Sequence, residues 1–448
     1  MIKKVLIANR GEVAVRIIRA CRELGIISVA VYSETDKEAL HTQLADEAIC
    51  IGPSSSRDSY LNIPNILEAT ALSGAEAIHP GFGFLSENSK FAKMCGDCNI
   101  TFIGPSYKTM DLMGDKANAR RTMKENGIPI VDGYEGHIKD ENHALDIAKK
   151  IGFPIMIKAA LGGGGKGIRI VENEKDFINA YIMAKSEAIA CFNNDTVYLE
   201  KYVKNPHHIE FQVLADSYGN IVHLFERDCS VQRKNQKLLE EAPSTILDEV
   251  TRKKMGDVVL KICKIVGYVN AGTIEFLVDD DKNFYFMEMN TRIQVEHPIT
   301  EMITGIDLIK EQIKIASGYK LSFTQDDIKI NGHSIECRIN AEDAKRNFLP
   351  SPGKIEQLNV PGGFGIRLDS AVYQGYTIPS FYDSMIAKLI VHGKNRQEAI
   401  MKMKRALAEF VIDGIESNID FQFKILNDPD FNSGNYNTGF LNKLVNNK

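Results

Sequence analysis

Apolar and polar positions follow two rhythms along this chain, and the switches between them mark its elements. From Lys3 to Gly104, short apolar runs of strand length (VLIAN, ISVAVY, EAICIG, AEAIHPG, ITFIG) are separated by stretches of helical spacing. The first such stretch runs through Val13, Ile17, Cys21 and Leu24 and is closed by Gly25; others centre on Leu67 and Phe91. This alternation predicts a doubly wound parallel sheet. Its first turn, Asn9-Arg10-Gly11-Glu12, lacks the dinucleotide fingerprint, so the domain reads as Rossmann-like with no case for NAD.

After a helix over Asp115 to Glu125, broken at Gly127 and Pro129, the pattern changes. FPIMIKAA, LGGGG and KGIRIV read as strand, glycine loop and strand, followed by a helix from Glu174 to about Ala190. VYLEKYV, HHIEFQVLAD and IVHLFER add strands, the last two joined by a turn over Asp216 to Asn220. A helix from Asp248 to about Val266 leads to a hairpin, AGTIEFLVDD-DKN-FYFMEMN. Beyond Lys329, HSIECRINAED, a Pro/Gly-rich stretch from Leu349 to Gly365, the strand MIAKLIVHG and a helix from Gln397 to Phe410 suggest a third, α+β domain.

One alternation carries chemistry. In FYFMEMNTRIQVEHP, from Phe284 to Pro298, every second side chain from Glu288 is functional: Glu288, Asn290, Arg292, Gln294, Glu296. An extended strand would put them on one face, over an underside of Met287, Met289, Thr291, Ile293 and Val295. A solvated strand face is the alternative, but such faces favour Lys, Ser and Thr, which this row lacks. Two carboxylates, a guanidinium and two amides together suit a metal and an anion.

Composition narrows the class. At 448 residues the chain calls for two to three domains, and 44% apolar with 25% charged residues is ordinary for a globular protein. A net charge of −5 argues against nucleic acid as a partner, though not against a local basic pocket for small anions. No apolar run reaches membrane-spanning length, and the N-terminus passes into an amphipathic pattern in place of a cleavage site, so membrane insertion and secretion are not expected. The eight cysteines are scattered, mostly in apolar runs, which fits a reducing cytoplasm. Cys95 and Cys98 form a lone C-x-x-C without a second pair and read as structural.

Gly162 to Gly165 and Gly167, with Lys166, satisfy a bare G-x-G-x-x-G. A Rossmann or Walker loop would run into a helix, yet Ile168-Arg169-Ile170-Val171 is strand-like, and no Ser or Thr follows the Gly-Lys pair. H-R-D and D-F-G are both missing, which sets kinases aside. A hairpin flap whose exposed N–H groups close over phosphate remains, framed by strands and by the inward lysine Lys158; a flexible linker is the alternative.

With this flap, the lysines Lys116 and Lys158, EKYV at Glu200 to Val203 and the Glu275 and EMN carboxylates, the chain resembles the ATP-grasp superfamily. More narrowly it resembles the biotin carboxylase subunits of biotin-dependent carboxylases. The likeness runs end to end through IANRGEVAVRIIRACRELG, HPGFGFLSEN, GGGGKG, EMNTRIQVEHPITEMITGIDLIKEQ, ECRINAED and FLPSPGKI. It implies a Rossmann-like domain over 1–114, an ATP-grasp domain over 115–330 with a lid at about 131–203, and a C-terminal α+β domain over 331–448.

The resemblance also implies the site. Lys116, Lys158 and the flap glycines Gly164 and Gly165 would meet the ATP phosphates, Glu200, Lys201, Tyr202 and Val203 would read adenine, and His208 and Gln232 would hold the sugar side. Asn235 stands in the nucleotide stretch where many relatives carry a histidine, so an imidazole contact does not transfer. Glu275 and Glu288, with Asn290 as auxiliary, would hold Mg²⁺ or Mn²⁺. Bicarbonate would bind Arg292, Lys237, Gln294 and the Val295 backbone, Glu296 would be the general base, and Arg338 would stabilise the biotin enolate. Phe82 replaces a frequent tyrosine on the biotin side.

The implied reaction is ATP- and bicarbonate-dependent carboxylation of biotin on a carrier protein, through carboxyphosphate, as the first half-reaction of acetyl-CoA carboxylase. A pyruvate or other acyl-CoA carboxylase, another acylphosphate-forming ligase and a non-catalytic regulatory subunit are the alternatives. Met401-Lys402-Met403 imitates a biotinylation motif, but Ile400, Met403, Leu407 and Phe410 have helical spacing, and Lys402 is not expected to be modified. Carrier protein and carboxyltransferase are expected as separate polypeptides, and Arg19 and Glu23 match an interface of the family's homodimers.

Overall fold

The computed structural model describes residues 1–134, 136, 138–159, 168–192 and 195–446. The N-terminal strands Lys4–Ile7, Ile27–Tyr32, Glu47–Cys50, Ala77–His79 and Thr101–Phe102 form one parallel sheet in which Lys4–Ile7 is central. The first helix, Gly11–Glu23, buries Val13, Ile17 and Cys21, the residues its spacing marked. Gly11 opens it with φ +68°, a backbone conformation that suits glycine. The predicted doubly wound parallel sheet is present.

Two further sheets follow. A four-stranded antiparallel sheet contains Ile155–Ala159 paired with Ile168–Val171, and Ile155–Ala159 also pairs with Val197–Lys201. Helices Glu141–Ile151 and Glu174–Phe192 cover it through Ala144, Ile147, Phe177 and Ala184. The glycine run, Gly164 and Gly165 included, lies outside the described residues, but the strands on either side pair as a hairpin, with Lys158 opposite Ile168.

The central sheet has eight antiparallel strands. In spatial order they are Phe284–Asn290, Asn270–Val278, His207–Ala215, Ile221–Arg233, Gln236–Ala242, His333–Asn340, Met385–Gly393 and Ile366–Ser370. This sheet continues without a break from the ATP-grasp segment into the C-terminal one, where Leu239 to Ala242 pairs with Ser334 to Cys337. One face of the C-terminal strands packs with helices Arg396–Glu409 and Ile419–Asn427 around Ile335, Cys337, Leu389, Met403 and Ile425. Lys402 lies within the first of these helices and donates to the His392 carbonyl at 2.8 Å.

Cys95 is buried at the end of helix Ser89–Asp97 and Cys98 is exposed just after it, both unbridged. Among the described residues no helix is long and apolar enough to cross a membrane.

Glu241 ties the C-terminal helices to the sheet. Its buried carboxylate faces His333 Nε2 at 2.7 Å, accepts from Arg396 Nε at 2.8 Å and is reached by the Tyr436 hydroxyl. Burial pushes its pKa up, but His333 and Arg396 override this and hold it at about 2, below the ordinary 4.5. A depressed carboxyl stabilises the fold above its ordinary pKa, and that contribution fades as pH falls toward the folded value. It amounts to about 3 kcal/mol. The urea midpoint of the wild type should therefore drop between pH 4.5 and about 2. Glu241→Gln should be less stable at neutral pH and flatter across that window; parallel curves would contradict the assignment.

Candidate active site

Four strands place charged groups in one row across the central sheet. Glu288 stands directly opposite Glu275, Glu275 opposite Glu210, and Glu210 opposite Arg227. Facing residues in an antiparallel pair lie about 5 Å apart, so this row is compact. Three carboxylates at such spacing repel unless cations are fixed among them.

Lys237, on the next strand, supplies the main one. Its ammonium donates to Glu210 Oε2 at 2.5 Å, Glu275 Oε1 at 3.1 Å and Glu296 Oε1 at 2.6 Å. Arg227 is fully buried and donates to Glu210 at 2.5 Å, Gln212 and Gln294 at 2.7 Å each, Thr300 at 2.9 Å and Thr273 at 3.1 Å. His208 Nε2 lies 3.0 Å from Glu275 Oε2. Burial alone would lower this histidine's pKa, and Glu275 raises it instead. Burial opposes ionisation of Glu275 as well, but Lys237 and His208 hold its pKa well below the carboxylate range.

Strict alternation ends at Asn290, where strand Phe284–Asn290 stops. A bulge between the Glu275 and Phe276 pairings also turns Met287 toward the cleft, while Phe286 and Met289 go into the core. The expected underside is thus corrected at Met287 and beyond Asn290. The chain instead bends over 291–296 and enters helix His297–Thr304, yet the polar side chains still converge. Asn290 Nδ2 and Gln294 Nε2 donate to Glu275 Oε1 at 2.9 and 2.8 Å. Arg292 donates to Asn290 Oδ1 at 3.0 Å and to Glu87 Oε2 at 2.8 Å.

Glu296 closes the arrangement at the head of that helix. Its second oxygen accepts from Arg338 Nη2 at 3.0 Å, and Arg338 also binds Glu240 at 2.6 Å. Burial favours the protonated acid, but Lys237, Arg338 and Arg227 hold Glu296 ionised. A solvated Arg338–Glu336 surface pair is not formed; Glu336 is fully buried and Arg338 turns to Glu240 and Glu296.

On the flap side, Lys158 and Arg120 both meet the buried Glu200, the latter at 2.8 Å. Lys116 pairs with Glu288 at 3.0 Å. Lys201 lines the cleft too, while its Nζ donates to the Gly152 and Phe153 carbonyls at 2.9 and 2.8 Å. Tyr202 and Val203 line the cleft, as does Gln232, whose Nε2 is 3.4 Å from His208 Nδ1. Asn235 follows Lys234 in the two-residue turn between strands Ile221–Arg233 and Gln236–Ala242, both with positive φ, 49° and 63°. Asparagine tolerates that conformation, which gives the residue a backbone role.

The carboxylate pair fits a divalent cation. Glu275 and Glu288 face one another at the cleft wall, and the charges that now balance them belong to Lys237, His208 and Lys116.

Sequence reasoning missed Glu87, Arg120, Glu210, Arg227, Glu240 and Lys388. A signal existed for two of them: Glu210 in HHIEFQVLAD and Arg227 in IVHLFERDCSV are charges inside apolar strands, the pattern that singled out Glu275.

A hairpin flap set against an antiparallel sheet, with lysines and facing carboxylates between them, defines an ATP-grasp ligase. Three family models match in order: Biotin carboxylase, N-terminal domain, over residues 1–110; Carbamoyl-phosphate synthase L chain, ATP binding domain, over 115–324; and Biotin carboxylase C-terminal domain over 336–443. The chain is 59% identical over 442 residues to Biotin carboxylase 1 of Bacillus subtilis, covering 98% of each. A biotin carboxylase from Campylobacter jejuni, solved as a beta-gamma-ATP complex, superposes with TM-score 0.94 at 51% identity, covering 99% of each chain. The biotin carboxylase domain dimer of Hydrogenobacter thermophilus 2-oxoglutarate carboxylase, solved with MgADP, ADP and bicarbonate, gives TM-score 0.93 at 52% identity, with 99% and 98% covered. The chain belongs to the biotin carboxylase family and is an ATP-dependent ligase.

Depth of burial separates the two arginines. Arg227→Leu leaves Glu210 and Gln294 short of a partner in the interior and should cost about 3 kcal/mol or more, read as a lowered urea midpoint. Arg292→Leu breaks a partly exposed pair with Glu87 and should cost less than about 1 kcal/mol. Equal costs would show that the row is not the structural centre described.

Proposed function

We propose that this chain carboxylates biotin carried on a biotin carboxyl carrier protein, consuming ATP and bicarbonate, as the first half-reaction of an acetyl-CoA carboxylase. The observation that carries the reading is the double attachment of Glu296: one oxygen on Lys237 at 2.6 Å and the other on Arg338 at 3.0 Å. A base between the nucleotide-side carboxylates and an arginine at the far wall can serve both bicarbonate and the acceptor.

Lys116 and Lys158 meet the ATP phosphates. The backbone of Glu200 to Val203 faces adenine, and His208 and Gln232 the sugar side. Mg²⁺ held by Glu275 and Glu288, with Asn290 beside them, neutralises phosphate charge when bound. Arg292, Lys237, Gln294 and the Val295 backbone hold bicarbonate, a planar anion that suits a guanidinium. Glu296 is ionised and so able to take the bicarbonate proton. While Lys237 and Arg338 grip it, it is a weak base, and it strengthens as they turn to bound anions. Bicarbonate oxygen then attacks the γ-phosphoryl group and ADP leaves; the resulting carboxyphosphate splits into CO₂ and phosphate, the phosphate takes the ureido N–H proton, and the nitrogen attacks CO₂. Arg338 supports the oxyanion that develops on the ureido group.

The acyl acceptor is the finer part of the proposal, because the similar chains include a 2-oxoglutarate carboxylase domain as well as free-standing biotin carboxylases. Carrier protein and carboxyltransferase are the partners this reading requires, and the chain acts as a homodimer. Arg19 and Glu23 lie exposed on the first helix, where Glu23 meets Lys310 at 2.5 Å.

ADP release from Mg-ATP and bicarbonate should rise on adding free biotin, with label passing from bicarbonate to biotin; turnover indifferent to biotin would sink the reading. Reconstitution with acetyl-CoA, pyruvate and 2-oxoglutarate carboxyltransferases then identifies the acceptor. Glu296→Ala should lower kcat by roughly 10²- to 10⁴-fold while ATP binding persists. Arg338→Ala should impair biotin carboxylation more than nucleotide binding, and equal losses would contradict its role.

A further inference from the structure

Strands Gln236–Ala242 and His333–Asn340 place Glu240 directly opposite Glu336, and both side chains are fully buried. At that register two carboxyl groups can meet, since facing Cβ atoms lie about 5 Å apart. Glu240 Oε1 accepts from Arg338 at 2.6 Å. Glu240 Oε2 and both oxygens of Glu336 accept no hydrogen bond from any protein group among the described residues.

The surroundings do not supply charge for two carboxylates. Arg338 is already divided between Glu240 and Glu296, and Lys237 between Glu210, Glu275 and Glu296. Lys388, opposite Arg338 on the next strand, donates to the Val295 carbonyl at 2.8 Å and pairs with Glu12 at 3.1 Å. Helix His297–Thr304 covers this face through Ile299 and Ile303, packed with Ala242 and Ile390. Of its ionisable groups, His297 is kept neutral by burial and by Lys388, and Glu301 is taken by Arg16 and Arg367. On the opposite face Glu241, His333 and Arg396 satisfy one another. Adjacent buried carboxylates without a cation each do not both ionise.

We propose that Glu240 and Glu336 share one proton and, through it, set how much of the Arg338 charge is left for the acceptor bound beside it. Both are positioning residues that act through Arg338, and the proposal rests on the role given to Arg338 above. While the proton is held, Arg338 faces Glu296 and a singly charged pair. Once it is lost at higher pH, a second negative charge falls beside the guanidinium, and its support for a developing oxyanion declines. Burial, which raises Glu240 to about 7 and lifts Glu336 well above the ordinary carboxylate range, agrees with the direction.

Infrared spectroscopy of glutamate-labelled protein at neutral pH tests the proton without reference to activity. The wild type should show the C=O stretch of a protonated buried carboxyl that is lost in Glu336→Gln and, in the wild type, fades as pH is raised. In biotin carboxylation, Glu336→Gln cannot lose the proton, so the alkaline limb of its kcat profile should move up by about one pH unit or more, with KM for ATP unchanged. A wild type lacking the band, or a variant with the wild-type limb, overturns the proposal. Should Glu336→Gln not fold, the wild-type band and its titration decide alone. Turnover without biotin dependence would refute the functional reading while leaving the infrared result to judge the proton.

Discussion

The ammonium of Lys237 is the interaction on which the rest depends. It joins Glu210, Glu275 and Glu296, three buried carboxylates from three separate segments, at the wall of the cleft. Each buried ion costs several kcal/mol in lost hydration, repaid only where oppositely charged neighbours are fixed at contact distance. A compact ammonium gathers its three donors at one nitrogen and so suits a three-way junction, whereas a guanidinium spreads its donors over a planar fork. Arg227 completes the balance from the other side of Glu210, and it too is placed by strand register. The positions of charge are therefore set by backbone pairing before any ligand arrives, the condition for electrostatic catalysis without reorganisation.

That constraint also explains why the sheet runs uninterrupted from the nucleotide segment into the C-terminal one. Arg338 reaches Glu296 because strand His333–Asn340 pairs with Gln236–Ala242, the strand that carries Lys237. Were the third segment packed on its own sheet and joined only by loops, the distance between base and arginine would vary with every movement of a linker. Hydrogen-bonded strands fix it instead.

Much of this was legible in the sequence, and the limits are physical. Strand and helix rhythms located the parallel sheet, the flap strands and the hairpin ending at Asn290, because each buries one face with a clear period. Period two failed where it had to: after Asn290 the chain leaves the sheet, and Arg292, Gln294 and Glu296 converge through a bend. Roles came from resemblance, since alternation shows that side chains share a face and not what each one does. Glu87 and Arg120 could not be found this way. They lie in helical or loop context without a telling period, and only the fold brings them to Arg292 and Glu200. Nor does any period announce that carbonyls just beyond helix Glu141–Ile151 bind the Lys201 ammonium.

Lys388 shows how the three segments come to share one site. A lysine with no exposed surface is expensive to bury, and this one is held chiefly by the Val295 carbonyl and the Glu12 carboxylate, with Asp369 at 4.0 Å. The first belongs to the bend that delivers Arg292, Gln294 and Glu296; the second belongs to the first helix of the N-terminal domain; the lysine belongs to a C-terminal strand. Glu87 reinforces the same junction from the N-terminal side, accepting the Thr291 N–H at 3.0 Å and the Arg292 guanidinium at 2.8 Å. The bend has no ladder hydrogen bonds to hold its shape, so these contacts with neighbouring segments take their place. Its geometry is consequently a property of the assembled chain, and neither the Rossmann-like domain nor the ATP-grasp sheet could present these groups alone.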